Sequence, residues 1–310
     1  MDGVIMSSIL FATITAGTPL IIVALGQLIA EKSGVLNLGA EGMMAMGAVT
    51  AFAVTLHSGS PWLGVLAGMG AGALMSLLFG FVVLTLMGNQ VATGLALSIF
   101  GIGLSAFIGK PYESDILPTV EAIRIPVLAD IPIIGPAFFH QQALVYFSWA
   151  LFFILVWFLY RSRSGLVLRA IGESPSSAHS IGFSVIKIRY GATLFGGAMA
   201  GIGGAFLSVF YTPLWVEGMV SGRGWIAIAL VVFATWRPFR VLVGAYLFGG
   251  VMVAQLFLQG SGIQIEVPSQ LLSALPYIAT IVVLVIISRD RNTVRLNAPA
   301  SLGKPYRPEE

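Results

Sequence analysis

Three short groups of ionisable and amide side chains stand in or beside the apolar sequence of this chain as candidates for chemistry. The first is the run E-K-S-G-V-L-N-L-G-A-E-G, which holds Glu31, Lys32, Asn37 and Glu41. Glu31 and Lys32 suit a short turn at a membrane surface. Asn37 and Glu41 are four apart, so on a helix they share one face. A carboxylate at mid-span costs roughly 2.5–3.5 kcal/mol on insertion scales, so such a group faces a cavity or a partner. Two readings of Glu41 stand side by side. It lines a translocation path, or it stabilises the positive N-terminal end of its own span. The second group, Gly88-Asn89-Gln90, reads either as a turn with capping or as part of a path or partner contact. The third is E-G-M-V-S-G-R-G-W, with Glu217, Arg223 and Trp225. Arg223 can pair with Glu217 or extend to the interface beside a Trp belt. Flanking glycines also suit a discontinuous helix near a substrate site. Glu-Gly-Met occurs at 41–43 and again at 217–219, which would suit an inverted repeat.

Enzymatic chemistry finds no residues here. The sequence contains no G-x-x-x-x-G-K-[ST] phosphate loop, no H-E-x-x-H and no G-x-S-x-G. Cysteine is absent, and His57, His140 and His179 show no ligand spacing. Gly201-Ile202-Gly203-Gly204 lies in an apolar run. With Gly197, Gly201 and Ala205 forming a small-xxx-small stripe, it reads as a packing surface.

The elements that must position these groups are transmembrane helices. Of 310 residues, 57% are hydrophobic and 9% charged, against roughly 25% charged in soluble domains. Mean hydropathy is +0.94. A net charge of +3 is too small to suggest nucleic acid. A span needs about 20 apolar residues. Runs at 6–29, 38–56, 62–87, 91–109, 141–160, 190–210, 224–236, 239–258 and 270–288 predict an all-α polytopic membrane protein of about nine spans, within eight to ten. Spans two and seven are short or begin in polar, Gly-rich sequence. The stretches 34–56 and 217–236 are therefore the candidates for re-entrant or broken helices. The N-terminal M-D-G-V lacks a basic region, so the first apolar run reads as a retained span. With 161–189 placed in the cytoplasm, 13 of the 16 cations fall inside, and only Lys110, Arg124 and Arg223 fall outside. The C-terminus is then cytoplasmic. The expected organisation is a permease domain over 1–288 and a cytoplasmic tail over 289–310. Within the domain, 110–140 forms a Pro-rich, extended outer loop and 161–189 a cytoplasmic loop. The polar tail is expected to have little structure.

The segment 161–189 carries five cations and a short helix with clear boundaries. Ser174 can cap it, and Pro175 suits its first position. Gly182 can end it in a left-handed conformation. So short a helix is marginal alone and must lie against its own bundle or a partner. Ala178 and Ile181, three apart, form its candidate apolar face.

The run G-E-S-P-S-S-A-H-S-I-G-F resembles the coupling loop of ABC importer permeases of the branched-chain amino acid, simple sugar and nucleoside superfamily. Ser174 stands where Asn is usual, and Ser176-Ser177-Ala178 where alanines are common. E-K-S-G-V-L-N-L-G-A-E-G-M-M-A-M-G-A (31–48) and G-R-G-W-I-A-I-A-L-V-V-F-A-T-W-R-P (222–238) resemble the signatures of the nucleoside branch, which is linked to basic membrane lipoproteins. The resemblance implies a multi-pass permease of the bacterial inner (cytoplasmic) membrane. Its partners would be an ABC ATPase, a second permease, as a heterodimer rather than a homodimer, and an extracytoplasmic lipoprotein or periplasmic solute-binding protein. No cofactor is implied in this chain; ATP and Mg belong to the ATPase. The coupling-loop residues are Arg169, Gly172, Glu173, Ser174, Pro175, Ala178, Ile181 and Gly182. Path candidates are Asn37, Glu41, Asn89, Gln90, Glu217, Arg223 and Trp225. Nucleosides, purine nucleosides first, are the implied cargo, with simple sugars as the alternative. An ion-coupled secondary transporter, with Glu41 as its coupling acid, and a membrane scaffold are the readings from other classes.

Overall fold

A computed structural model describes residues 2–132, 134–260, 274–275, 278–279, 281–282, 285 and 297–307. Among them are eleven α-helices: α1 (Asp2–Lys32), α2 (Ala40–Ser58), α3 (Pro61–Gly80), α4 (Gln90–Gly109), α5 (Ile134–Phe139), α6 (Ala143–Arg161), α7 (Arg163–Glu173), α8 (Pro175–Ser180), α9 (Val185–Ala205), α10 (Arg223–Phe233) and α11 (Pro238–Gly260). π-helical turns extend α3 over Phe81–Thr85 and α9 over Phe206–Tyr211. Six of these segments are long and apolar enough to cross a membrane. Of the two doubtful spans, α2 falls outside that set and α10 has only 11 residues. The expected ninth span, 270–288, lies largely outside the described residues.

Helix boundaries follow local chemistry. Ser60 accepts from the Leu63 N–H and Pro61 opens α3. Asn89 accepts from the Ala92 N–H at 2.9 Å and opens α4. Loop 110–140 is mostly extended chain and turns, in keeping with its prolines. Its strands β1 (Ile123–Arg124) and β2 (His140–Gln141) pair antiparallel, and Ile116 bridges Leu214. Only α5 interrupts it, with a three-residue 3₁₀ turn at its start.

Glycine sets the centre of the bundle. Lipid offers no hydrophobic drive between helices, so close approach and dispersion must hold them. The stripe of α9 does this against α3: a Cβ on Gly197 would meet the Gly72 carbonyl at 2.5 Å, and one on Gly201 the Gly68 carbonyl carbon at 2.9 Å. Gly47 brings α2 to the same point, where a Cβ would lie 2.6 Å from Gly201 Cα. Hydroxyls fasten the contact, with Ser76 donating to the Thr193 carbonyl at 2.5 Å and Ser208 to the Ala48 carbonyl at 2.8 Å.

Two elements are broken. After α1 the chain does not turn straight into α2. Residues 33–39 run non-helically and largely buried along α4. The Leu36 N–H donates to Gln90 Oε1 at 2.7 Å, and two turns later Ser98 donates to the Leu38 carbonyl at 2.8 Å. Two residues of extended chain rise about 7 Å, and the Gln90 side chain spans the rest of the distance along α4. α2 therefore starts inside the bundle and runs parallel to α4, from Gly42 beside Ser98 to Phe52 beside Tyr112. α10 is the counterpart. Its 11 residues span about 16 Å, roughly half of a 30 Å hydrocarbon core.

Two sequence expectations are corrected. The 161–189 segment holds a second helix, α7, opened by Ser162, which accepts from the Gly165 N–H at 2.9 Å. Its turns bury Leu168 and Ile171. The tail is also not loose over its described part. Residues 297–307 are hydrogen bonded to α1, α4, α7 and α9 or their flanks.

Candidate functional site

Glu41 stands in the first turn of α2 and is 4% exposed. Its carboxylate reaches across to α10, whose first N–H groups have no intrahelical acceptor. Oε1 accepts from the Gly222 N–H at 2.7 Å. Oε2 accepts from Gly224 at 2.7 Å and from Trp225 at 3.4 Å. Gly224 must be glycine for this approach, since a Cβ would lie 2.6 Å from Glu41 Cα. Glu41 thus stabilises a helix N-terminus, but that of α10, where one of its two sequence readings placed it at its own.

The other end of α10 is held by the other acid of the same run. Thr235 and Trp236 both adopt left-handed backbone, with φ of 47° and 53°, which is uncommon outside glycine and asparagine. That turn delivers the Trp236 indole N–H to Glu31 Oε2 at 2.6 Å. Arg240 donates to Thr235 Oγ1 at 2.7 Å. A half-length helix is therefore clamped at both ends by the acids that flank the α1–α2 connection, Glu31 at the end of α1 and Glu41 at the start of α2. Sequence reading assigned Glu31 to a surface turn and missed this role. The clue was present, since a buried Trp must find an acceptor for its N–H.

The remaining path candidates make the following contacts. Asn37 is buried, and its Oδ1 accepts from the Gly39 N–H at 2.8 Å. Asn89 caps α4. Gln90 holds Leu36 and donates to the Lys304 carbonyl at 3.5 Å. Arg223 donates to the Met219 and Val220 carbonyls at 2.9 and 3.2 Å. The expected pair with Glu217 is not formed: Glu217 is exposed, and among the described residues the ion pair is Arg124–Asp130. Trp225 is half-buried beside Glu41. The structure brings Glu41, Arg223 and Trp225 together, with Asn37 in the non-helical segment before α2, and leaves Asn89 and Glu217 apart.

At the basic end, where Lys32, Arg169 and Arg237 line a cavity of about 220 Å³ with Glu173 and Trp236, the short helix α8 has the caps that its sequence prescribes. Ser174 accepts from the Ser177 N–H at 3.4 Å, with Pro175 at the first position. Gly182 has φ of 93°. The bonds Gly182 N–H to His179 carbonyl (2.8 Å) and Phe183 N–H to Ala178 carbonyl (3.1 Å) close the end in a Schellman motif. Ala178 is 2% exposed, against Ile171 and Val185. Ile181, read as its companion, is instead 72% exposed, because it sits at the cap where the chain leaves the helix. Arg169 turns inward, its guanidinium 5.5 Å from the Tyr160 ring centre. Gly172 is buried against the Lys32 carbonyl, and Glu173 is exposed.

Residues 9–287 match the family described as branched-chain amino acid transport system / permease component. The chain belongs to this permease family. The permease is 39% identical to a putative glucose ABC transporter permease protein of Haloferax volcanii, over 98% of each chain. It is 34% identical to the guanosine ABC transporter permease protein NupQ of Bacillus subtilis, over 97% of each. A nucleoside ABC transporter permease protein of Lactococcus lactis is 31% identical, over 86% of this chain and 88% of its own. Permease subunits of this kind are not enzymes, and the ATPase is a separate subunit. The ion-coupled reading falls with that assignment, and its one candidate acid, Glu41, is bonded to α10. Among the described residues no group of acidic or histidine side chains is placed to hold a metal ion.

Proposed function

We propose that this ABC permease carries nucleosides, purine nucleosides first, inward across the cytoplasmic membrane. The observation that carries the neutral character of the cargo is the Glu41–α10 contact. Broken helices in transporters commonly aim a free, positive N-terminus at an anionic substrate group. Here Glu41 already occupies that N-terminus, which disfavours a carboxylate-bearing cargo and suits an uncharged one. Nucleosides and sugars are both uncharged, and relatives named for each resemble the chain. A simple sugar is the second reading, favoured by the Haloferax relative.

The proposed complex contains an ABC ATPase that binds ATP and Mg, a binding protein, and a second, different permease. A second guanosine permease protein of Bacillus subtilis, NupP, is 28% identical over 79% of this chain, and two such names in one organism support a heterodimer. The basic end faces the cytoplasm, by the distribution of cations, and the C-terminus lies there too. The proposed domain runs over 1–288, with nine passes in which α2 and α10 count as broken ones and 270–288 as the last. Loop 161–189 is its coupling loop. α8 is its contact with the ATPase, where exposed Ile181 and Phe183 beside Gly182 supply apolar surface.

Uptake of labelled guanosine by the reconstituted complex, competed with unlabelled guanosine, ribose and glucose, tests the cargo. Competition by guanosine alone is expected. No uptake of labelled guanosine, together with uptake of labelled glucose or ribose by the same complex, would move the assignment to sugars. Gly182→Val tests the coupling loop. With no neighbour within 4 Å of a Cβ there, its penalty is the left-handed backbone alone, about 1–2 kcal/mol. Membrane insertion should persist while cargo-stimulated ATP hydrolysis falls.

A further inference from the structure

We propose that residues 297–307 are a tie that makes the ATPase-facing helix α8 and the broken segment 33–39 move as one body, with Ser301 and Tyr306 as positioning residues. The proposal rests on the coupling role of α8 given above. Its centre is Arg189, in the first turns of α9 and 1% exposed. The guanidinium presents a rigid fork of donors, and each arm holds a different element. Nε donates to the Ser33 carbonyl at 3.0 Å, and Nη2 to Ser301 Oγ at 2.9 Å. Its face lies 5.8 Å from the Tyr306 ring centre.

Ser301 passes the connection on. Its N–H and its hydroxyl both donate to the Gly172 carbonyl, at 3.0 and 2.6 Å. Gly172 lies in the last turn of α7, two residues before Ser174, the cap of α8. Further along, the Gly303 N–H donates to the Gly34 carbonyl at 3.2 Å, and the Lys304 carbonyl accepts from Gln90. Tyr306 then packs against the three-residue apolar cluster of Ile171, Ala178 and Val185, with its ring 6.4 Å from that of His179. That cluster is the seat of α8, and Tyr306 enlarges it. A six-residue helix does not persist alone, so the tie helps to set where α8 stands.

The geometry gives a route for displacement. A shift of α8 bears on Tyr306 and Gly172, then on Ser301 and Arg189, then on Ser33 and Gly34. From there the non-helical chain leads straight to Glu41 and the N-terminus of α10. The steps are the hydrogen bonds, ring contacts and apolar packing named above, joined by short stretches of backbone.

The test uses the complete reconstituted complex with Ser301→Ala, Ser301→Thr, Tyr306→Ala and Tyr306→Phe. Two quantities are read: the amount of assembled complex, and the ratio of ATP hydrolysis with loaded binding protein to hydrolysis without it. Losing one hydrogen bond of this kind shifts a conformational equilibrium by about fivefold. Ser301→Ala should lower the ratio by about that factor per assembled complex, Tyr306→Ala, which removes ring and apolar contacts, should lower it too, and Thr and Phe should restore most of it. An unchanged ratio, or a loss that only tracks the amount of complex, would reduce the segment to a passive strap and overturn the proposal. Gly182→Val in the same assay separates the two readings. If it leaves the ratio intact, the coupling role of α8 fails, and the tie to α8 fails with it. If it lowers the ratio while Ser301→Ala and Tyr306→Ala do not, the tie alone fails.

Discussion

Replacing Glu41 should unfasten α10, and the size of the effect follows from the geometry. Two hydrogen bonds at 2.7 Å join an ionised group to backbone N–H groups of Gly222 and Gly224, and a third at 3.4 Å is at the limit. Hydrogen bonds to charged groups contribute about 1.5–3 kcal/mol each, so the two short ones sum to about 3–6 kcal/mol. Removing the carboxylate also removes its own burial penalty, which offsets part of that sum. The net cost of Glu41→Ala is then about 2–4 kcal/mol. Spread over a chain of 310 residues, it lowers an apparent melting temperature by about 3–6 °C. Glu41→Gln keeps one acceptor oxygen and turns an NH₂ toward the other donor, so it should fall between wild type and alanine. Glu41→Asp shortens the reach by one methylene and should resemble alanine more than glutamine. Fluorescence-detected gel filtration of detergent extracts after graded heating gives the order. Transport should fall in parallel, because α10 loses its position. Wild-type melting together with wild-type uptake in Glu41→Ala would refute the clamp. Wild-type melting with abolished uptake would return Glu41 to a direct role in the path.

The opposite end of α10 offers a matched test. Trp236→Phe keeps the ring but leaves Glu31 without the indole donor at 2.6 Å, at a cost of about 1–3 kcal/mol. The double variant with Glu31→Gln should lose less than the two single losses added, as measured by the same melting assay. At the bundle centre, Gly201→Val should abolish assembled protein, because a Cβ there meets the backbone of α3. Gly191→Ala, on the same helix with no atom within 4 Å of its Cβ, should leave yield unchanged. Equal yields of these two variants would contradict the packing of α3 on α9.

How much of this was legible depended on distance along the chain. Apolar runs long enough to span a bilayer announce themselves, and so α1, α3, α4, α6, α9 and α11 lie where the runs predict. The ends of α8 were equally readable, since Ser174, Pro175 and Gly182 act on groups within a few residues. Even the small-residue stripe of α9 was recognisable as a surface for another helix, though not as one for α3. Amphipathic α7 was missed because its polar face and the neighbouring cations made the whole segment read as loop. Ile181 was misplaced because a three-residue spacing assumes that the helix continues, and it stops there.

Sequence alone determined the class of molecule, its apolar helices, the capping of α8 and the family resemblance, because each rests on periodicity or contacts a few residues long. Only the tertiary structure decided what the buried polar groups do. Glu41 finds its donors 181 and 183 residues away. Glu31 finds Trp236 at a separation of 205, and Arg189 reaches Ser301 at 112. A carboxylate or guanidinium inside a bilayer must have a partner, and the sequence states that need. Which partner meets it depends on where broken backbones leave unpaired N–H and carbonyl groups, and those positions exist only after the helices have packed.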